Sequence, residues 1–337
     1  MRTKFLILRF SSIGDIVLTS PVIRCLKLQY PNAEIHFLTK PQYASIAEAN
    51  PYIDFVHVLN KTLLKKIQEL KQLKFDYIID LHNNIRTQII KSSIDIPAYS
   101  FEKLNIEKSH LVKFKVNTLP SIHIVDRYIN TLIDFNIKND GNGLDFFIPE
   151  TTTLPENIQP FTQKPFIAIA IGAQHFTKKL PTDKLIAICN QLQLPVLLLG
   201  GKEDESIGKK IETEITNKVT SLCGILSLHQ SALVVKQCQL LITHDTGLMH
   251  IGAALKKKII SVWGNTIPEF GMTPYYGNSN TPNKIFEVNN LSCRPCSKIG
   301  FAACPKKHFH CMELQAIDRI AETANKLVTR NTPASSN

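Results

Sequence analysis

Apolar positions along this chain fall into two alternating arrangements, short continuous runs and longer stretches with helical spacing. KFLILRF (residues 4–10) reads as a buried strand and residues 14–29 as a helix that ends at Pro31. EIHFLTK gives a second strand, a helix is expected around Tyr43–Ala49, and DFVHVLN follows. KTLLKKIQELKQL has the pattern of a basic amphipathic helix, DYIIDLH that of the next strand, and IHIVDRYINTLIDF that of a helix closing this half. Strand and helix patterns in alternation predict βαβ units on a parallel sheet.

Residues 136–164 break the alternation with a stretch rich in Gly, Pro, Asn and Thr, the expected linker. The pattern then restarts. PFIAIAIG, PVLLLGG, LLITHD and KIISVWG read as strands; TDKLIAICNQL, EDESIGKKIETEI, LSLHQSALVVKQC and TGLMHIGAAL read as helices. The first turn of EDESIGKKIETEI is acidic, which suits the helix dipole. Two α/β halves follow, an N-terminal domain over 1–155 and a C-terminal domain over 156–337, with a cleft expected between them. After Gly264 comes NTIPEFGMTPYYGNSNTPNK, expected to be loop, then a cysteine-rich stretch, a last amphipathic helix ELQAIDRIAETANKLV, and a tail TRNTPASSN expected to be disordered.

Composition sharpens this picture in two respects. With 337 residues, 44% of them hydrophobic and 20% charged, the chain is ordinary for a globular protein of two domains. No stretch approaches the length of a membrane span, and KFLILRF runs directly into SSIGD without the small-residue pattern of a signal-peptide cleavage site. A cytoplasmic protein is therefore expected. The balance of 39 Lys and Arg against 28 Asp and Glu, a net charge of +11, favours anionic partners. Lysines cluster at 103, 108, 113 and 115 and again at 256–258, but no aromatic residues are interleaved with them as stacking platforms, so nucleic acid is not the expected partner. A phosphate-rich acceptor fits better.

Three places combine the residue types and positions needed for chemistry. RFSSIGD (9–15) joins the first strand to the first helix, where ligands of open α/β sheets bind. Asp15 there is either a general base for an attacking hydroxyl or a helix cap. This turn lacks a clear G-x-G-x-x-G fingerprint, which argues against an ordinary dinucleotide fold. HDTGLMH (244–250) follows the strand LLIT, so Asp245, Thr246 and Gly247 open a helix whose N-terminus suits an anion, with His250 one turn further on. WGNT (263–266) leaves the next strand in the same manner, and the two loops together suggest a diphosphate cradle that includes Gly264 and Thr266. AIGAQHFTKKLP (170–181) supplies Lys178 or Lys179 to neutralise phosphate charge on a leaving group.

RFSSIGDIVLTSPVIRCLK, HFTKKLP and DTGLMHIGAALKKKIISVWGNTIPEFG, in this order over nearly the whole chain, resemble the lipopolysaccharide heptosyltransferases, glycosyltransferase family 9. The resemblance implies the GT-B fold, two Rossmann-like domains with parallel sheets facing across a cleft. It implies an inverting, metal-independent transfer that needs no cofactor, with the acceptor on the N-terminal side and ADP-heptose on the C-terminal side. The acceptor implied is a lipid-linked lipopolysaccharide core (lipid A–Kdo) at the inner membrane face, visited by a protein with no transmembrane segment. It places the general base on Asp15, the lysine near the donor phosphates on Lys178, donor contacts on Asp245, Thr246, Gly247 and His250, and the glycine-loop threonine on Thr266. The last helix is expected to cross back to the N-terminal domain. Three positions depart from the family pattern: Leu180 stands where a tryptophan is usual, the glycine loop reads GNT rather than GPT, and Lys202 replaces a frequent proline. Alternatives are a GT-B enzyme with another nucleotide sugar or acceptor, an epimerase of the same architecture, and a nucleotide- or sugar-binding protein without turnover.

Four of the eight cysteines lie in CRPCSKIGFAACPKKHFHC. Cys293 and Cys296 have the C-x-x-C spacing of half a zinc site, and Cys304, Cys311, His308 and His310 are within range of completing it. A small structural zinc site and reduced, loosely packed cysteines are both compatible with this spacing.

Overall fold

The computed structural model describes residues 2–60, 62–215 and 218–329; the tail expected to be disordered lies, but for Thr329, outside them. The elements in chain order begin with β1 (Thr3–Leu8), α1 (Ile13–Leu18), α2 (Ser20–Gln29), β2 (Ala33–Thr39), α3 (Ala44–Glu48), β3 (Phe55–Val58), α4 (Leu63–Gln72), β4 (Tyr77–Asp80), α5 (Ile85–Ile94), β5 (Ala98–Ser100), α6 (Asn105–Phe114) and α7 (Ile124–Ile129). They continue with α8 (Gln159–Thr162), β6 (Ile167–Ala170), α9 (Thr182–Gln191), β7 (Val196–Leu199), α10 (Glu205–Glu214), β8 (Val219–Ser221), α11 (Leu228–Gln237), β9 (Leu240–His244), α12 (Gly247–Ala254), β10 (Ile259–Trp263), β11 (Asn283–Glu287), α13 (His310–Glu313) and α14 (Ile317–Thr329).

The chain divides into two compact units. The first holds residues 1–104, 121–147 and 275–279, the second 105–120, 148–274 and 280–337. In the first, five parallel strands run in the order β3-β2-β1-β4-β5. In the second, six parallel strands run β11-β10-β9-β6-β7-β8. Central strands such as FLIL of β1 and IAIA of β6 are buried throughout, because helices cover both faces of a parallel sheet and no position is left to water.

The helix expected over 14–29 is two helices. Pro21 sits in the first turn of α2, where its missing N–H costs no intrahelical bond, and α1 ends before it at Leu18. The helix expected over 122–135 is α only to Ile129 and continues as a 3₁₀ turn to Phe135. Of the stretch 136–164, residues up to Phe147 belong to the first unit: the buried Arg24 side chain bonds both Asp140 oxygens (2.7 and 2.8 Å), Asp145 and the Gly143 carbonyl (2.9 Å). α14 packs on α9 and contributes Ile320, Ala321, Ala324 and Leu327 to the core of the second unit.

Each sheet has one position where chain order reverses direction. In the first unit it is at β1, flanked by β2 and β4; in the second it is between β6 and β9. Loops leaving the carboxyl ends of strands at such a point diverge and leave room for a ligand.

Candidate functional site

The turn after β1 carries Asp15 at the third position of α1. Its Oδ2 accepts from the Ser12 N–H (3.1 Å) and Ser12 hydroxyl (2.9 Å), and its Oδ1 lies 2.7 Å from Arg9 Nη2. Asp15 thus caps its helix and is ion-paired at the same time. Burial disfavours its charge, but the Arg9 guanidinium and the two Ser12 donors outweigh burial and hold the carboxyl below its ordinary value. Arg9 is itself fixed: it donates to the Ser11 carbonyl (2.7 Å), the Leu81 carbonyl (2.5 Å) and the Tyr128 hydroxyl (2.9 Å). The His82 ring packs at a tilt against Phe10, centroids 4.9 Å apart, and burial, with Arg9 and Lys103 adding to it, pushes its pKa down to about 4. Arg9 stands inside the RFSSIGD motif, so a sequence signal for it existed. Tyr128 and His82 had none.

In the second unit three loops converge. Lys178 follows β6, Asp245 follows β9 and Thr266 follows β10. One carboxylate oxygen of Asp245 accepts from Lys178 Nζ (2.6 Å) and from the Thr266 hydroxyl (2.9 Å), while Lys178 Nζ also donates to the Asp245 carbonyl (3.3 Å). An ammonium has three donors, and among the described residues two of those of Lys178 meet Asp245. Thr246 is the N-cap residue of α12 and its hydroxyl meets that of Thr243 at 3.3 Å rather than capping the helix. The first amides of a helix have no intrahelical acceptor, so this end of α12 offers donors beside an ammonium and a hydroxyl. His250 lies one turn into α12 and is 2% exposed.

The two adjacent lysines have different partners. Lys179 Nζ lies 2.6 Å from Asp204, a carboxylate 1% exposed whose other oxygen accepts from the Gly201 N–H (3.0 Å). Sequence reading gave Asp204 only a place in an acidic helix start; its pairing with Lys179 spans the chain from one loop to another and has no local signature. His244, the first residue of HDTGLMH, has a role that the motif does not indicate. Its Nε2 accepts from the Leu180 N–H at 3.0 Å, and burial lowers its pKa to about 4, keeping it neutral. Leu180, in the place of the usual tryptophan, is buried. Gly264 lies so close to the lysine loop that a Cβ there would come 2.6 Å from the Thr177 carbonyl.

Of the two readings of the cysteine-rich stretch, the zinc site is not shown by the structure. Zinc needs four ligands about 2.0–2.3 Å from one point, and among the described residues no three His, Cys, Asp or Glu side chains are placed to hold a metal ion. Cys311, on α13, packs in the hydrophobic core with Met312, and Cys293 Sγ lies 3.9 Å from His308 Nε2. All eight cysteines are free. Among the described residues no helix is long and apolar enough to cross a membrane.

The family model of glycosyltransferase family 9 (heptosyltransferase) matches residues 63–304, which include Lys178, Asp245–His250 and Thr266 but not Asp15. Lipopolysaccharide heptosyltransferase 1 of Campylobacter coli is 24% identical over 314 residues, covering 85% of this chain and 89% of the relative. Among solved structures, a family 9 glycosyl transferase from Veillonella parvula aligns with a TM-score of 0.76 at 20% identity over 98% of each chain. The E. coli ADP-heptose LPS heptosyltransferase II aligns at 0.70 and 19% identity, over 97% of this chain and 99% of that one. The shared architecture is the GT-B fold.

Proposed function

The chain belongs to glycosyltransferase family 9, the heptosyltransferase family, and from that premise we propose that it transfers heptose from ADP-heptose to a lipid-linked lipopolysaccharide core of the lipid A–Kdo type, with inversion. The observation that carries this reading is the convergence of Lys178, Thr266 and the N-terminus of α12 on Asp245. An ammonium, a hydroxyl and a helix N-terminus at one point form a cradle for a diphosphate.

In the reaction an acceptor hydroxyl oxygen attacks the anomeric carbon as the bond from that carbon to the diphosphate oxygen breaks. Asp15, ionised because Arg9 and Ser12 stabilise its charged form, takes the hydroxyl proton. Lys178, the Thr246 and Gly247 amides and Thr266 meet the charge that grows on the departing ADP, with Gly264 allowing the close approach of its loop to the lysine loop and His250 buried one turn into α12. These protein groups supply the counter-charge, so the transfer requires no metal and persists in EDTA.

Two features of the first unit support an anionic, lipid-linked acceptor. A cavity of about 530 Å³ is lined by Lys40, Arg86, Leu59 and Leu63 at the carboxyl edge of the sheet that carries Asp15. Next in sequence to the lining residues Leu63 and Arg86, Leu64 is 69% and Ile85 80% exposed. Two cations in the cavity lining and exposed aliphatic side chains beside them in the sequence support a phosphorylated or carboxylated saccharide anchored in a bilayer, and with it a peripheral position of the protein at that surface.

The test is transfer from ADP-heptose to purified lipid A–Kdo by the intact protein and by Asp15→Ala. The expected result is transfer that falls about 100- to 10000-fold in a folded variant that still binds ADP-heptose. Absence of both transfer and ADP-heptose binding in the intact protein overturns this donor; unchanged transfer by Asp15→Ala overturns the base.

A further inference from the structure

The cysteine-rich segment holds no metal set among the described residues, yet it is bound closely to the loops just described. Arg294, between Cys293 and Pro295, is the centre of these contacts. Its Nε donates to the Gly264 carbonyl (2.5 Å) and its Nη2 to the Thr266 carbonyl (2.9 Å), so one side chain holds both ends of the Gly264–Thr266 loop. Its Nη1 donates to the Val288 carbonyl (2.9 Å), and Nη2 also meets Glu287 Oε2 at 2.7 Å. The side chain is 7% exposed, and Glu287 offsets its charge.

The residues that follow continue the same bracing. The Cys296 N–H donates to the Asn265 carbonyl (3.3 Å), and Ser297 Oγ accepts from Asn265 Nδ2 (3.1 Å). Phe301 exchanges bonds with Thr177, its N–H to the threonine hydroxyl (2.8 Å) and its carbonyl from the threonine N–H (3.2 Å). Thr177 immediately precedes Lys178. The segment 294–301 therefore fastens the loop of Thr266 and the loop of Lys178 to each other.

We propose that Arg294 is a positioning residue for the diphosphate cradle: it fixes the Gly264–Thr266 backbone and thereby sets where the Thr266 hydroxyl, and through Asp245 the Lys178 ammonium, stand. It acts through Thr266. Only a planar guanidinium with several donors at fixed angles can span two carbonyls of one loop, a third carbonyl and a carboxylate; a lysine at this position keeps the charge and loses the span. The consequence for turnover rests on the transferase reading, whereas the bracing itself does not.

The experiment compares Arg294→Lys with the intact protein in two measurements. Hydrogen exchange read on peptides covering residues 264–270 should speed up, with those covering β9 unchanged; equal exchange in both proteins overturns the bracing whether or not any sugar is transferred. Transfer at saturating donor should fall about tenfold or more, a loss of the size that small misplacements cause. In a Thr266→Val background the same substitution should cost less than about twofold, since residues acting through one another are not additive. Losses that multiply in the double variant, or full turnover in Arg294→Lys, overturn the positioning role. If Arg294→Lys does not fold, Ser297→Ala removes the acceptor of Asn265 Nδ2; it should raise exchange over 264–270, and unchanged exchange there overturns the proposal. An intact protein that transfers nothing defeats the transferase reading instead and leaves the exchange measurement to judge the bracing.

Discussion

Asp15 and the two lysines show how neighbours divide roles between residues of one type. The Asp15 carboxyl is held below its ordinary value because Arg9 and Ser12 favour its charged form more than burial disfavours it. A carboxyl lowered on folding contributes stability that is present above its unfolded value, about 3.9, and is lost as pH falls through the lower folded value. The acid limb of kcat/KM, which reports the base in the free enzyme, should accordingly lie below the ordinary carboxylate range. Arg9→Met removes the cation that favours the charged form, so the limb must move to higher pH; a limb that stays in place in the pH–rate profile shows that Asp15 is not the titrating base. The lysines separate in another way. Lys178→Met removes a donor from the cradle and should lower kcat/KM by about 100- to 1000-fold, the usual loss for one such donor. Lys179→Met leaves Asp204 buried without its cation, which costs about 3–5 kcal/mol of stability, and at a temperature where the variant is folded it should transfer at nearly the normal rate. Thermal unfolding and initial rates on both variants decide it: equal effects on rate would mean that the two lysines share a role.

Local pattern identified the elements whose two faces are both buried, and missed those whose stabilisation comes from elsewhere. β11 is an edge strand with exposed Asn283 and Lys284, and β8 has three residues, so neither shows a strand's apolar run. α5 buries only Thr87 and Ile90, and α6 only Leu111, which left both too polar to stand out. The loops after β1, β6, β9 and β10 were legible because each combines a strand end with small or hydroxyl residues. Their partners were not, because the Arg9–Tyr128 bond spans 119 positions and the Arg294–Gly264 bond 30. Glycine at 264 is one element-level feature the motif did indicate. A Cβ there meets the Thr177 carbonyl at 2.6 Å and Met312 Cε at 2.7 Å, and a carbonyl held in a loop cannot swing aside as a flexible side chain does. Gly264→Ala should therefore push the β10 loop away from the lysine loop, raising the KM for donor several-fold and lowering the melting temperature. An alanine variant with unchanged donor KM would show that the two loops tolerate separation.

A net charge of +11 favours anionic partners without saying which part of the molecule would meet them. The first unit offers an answer that charge alone does not. Leu64 lies in the first turn of α4 and Ile85 opens α5, Ile89 lies one turn further along α5, and Lys65 and Arg86 follow Leu64 and Ile85 in the sequence. Aliphatic side chains that expose 69% and 80% of their surface gain from entering a bilayer, and each nearby cation adds attraction to an anionic headgroup layer. The two contributions can be told apart by matching charge. Leu64→Asp with Ile85→Asp lowers the net charge by two and removes both aliphatic groups. Lys209→Ala with Lys210→Ala, at exposed positions of α10, lowers it by the same two and leaves the patch intact. The intact protein should sediment with vesicles containing phosphatidylglycerol and not with pure phosphatidylcholine; the first pair should lose most of this binding, and the second should keep it. Equal losses in the two pairs would reduce the membrane reading to net charge, since a built patch must respond to where the charge is placed as well as to how much there is.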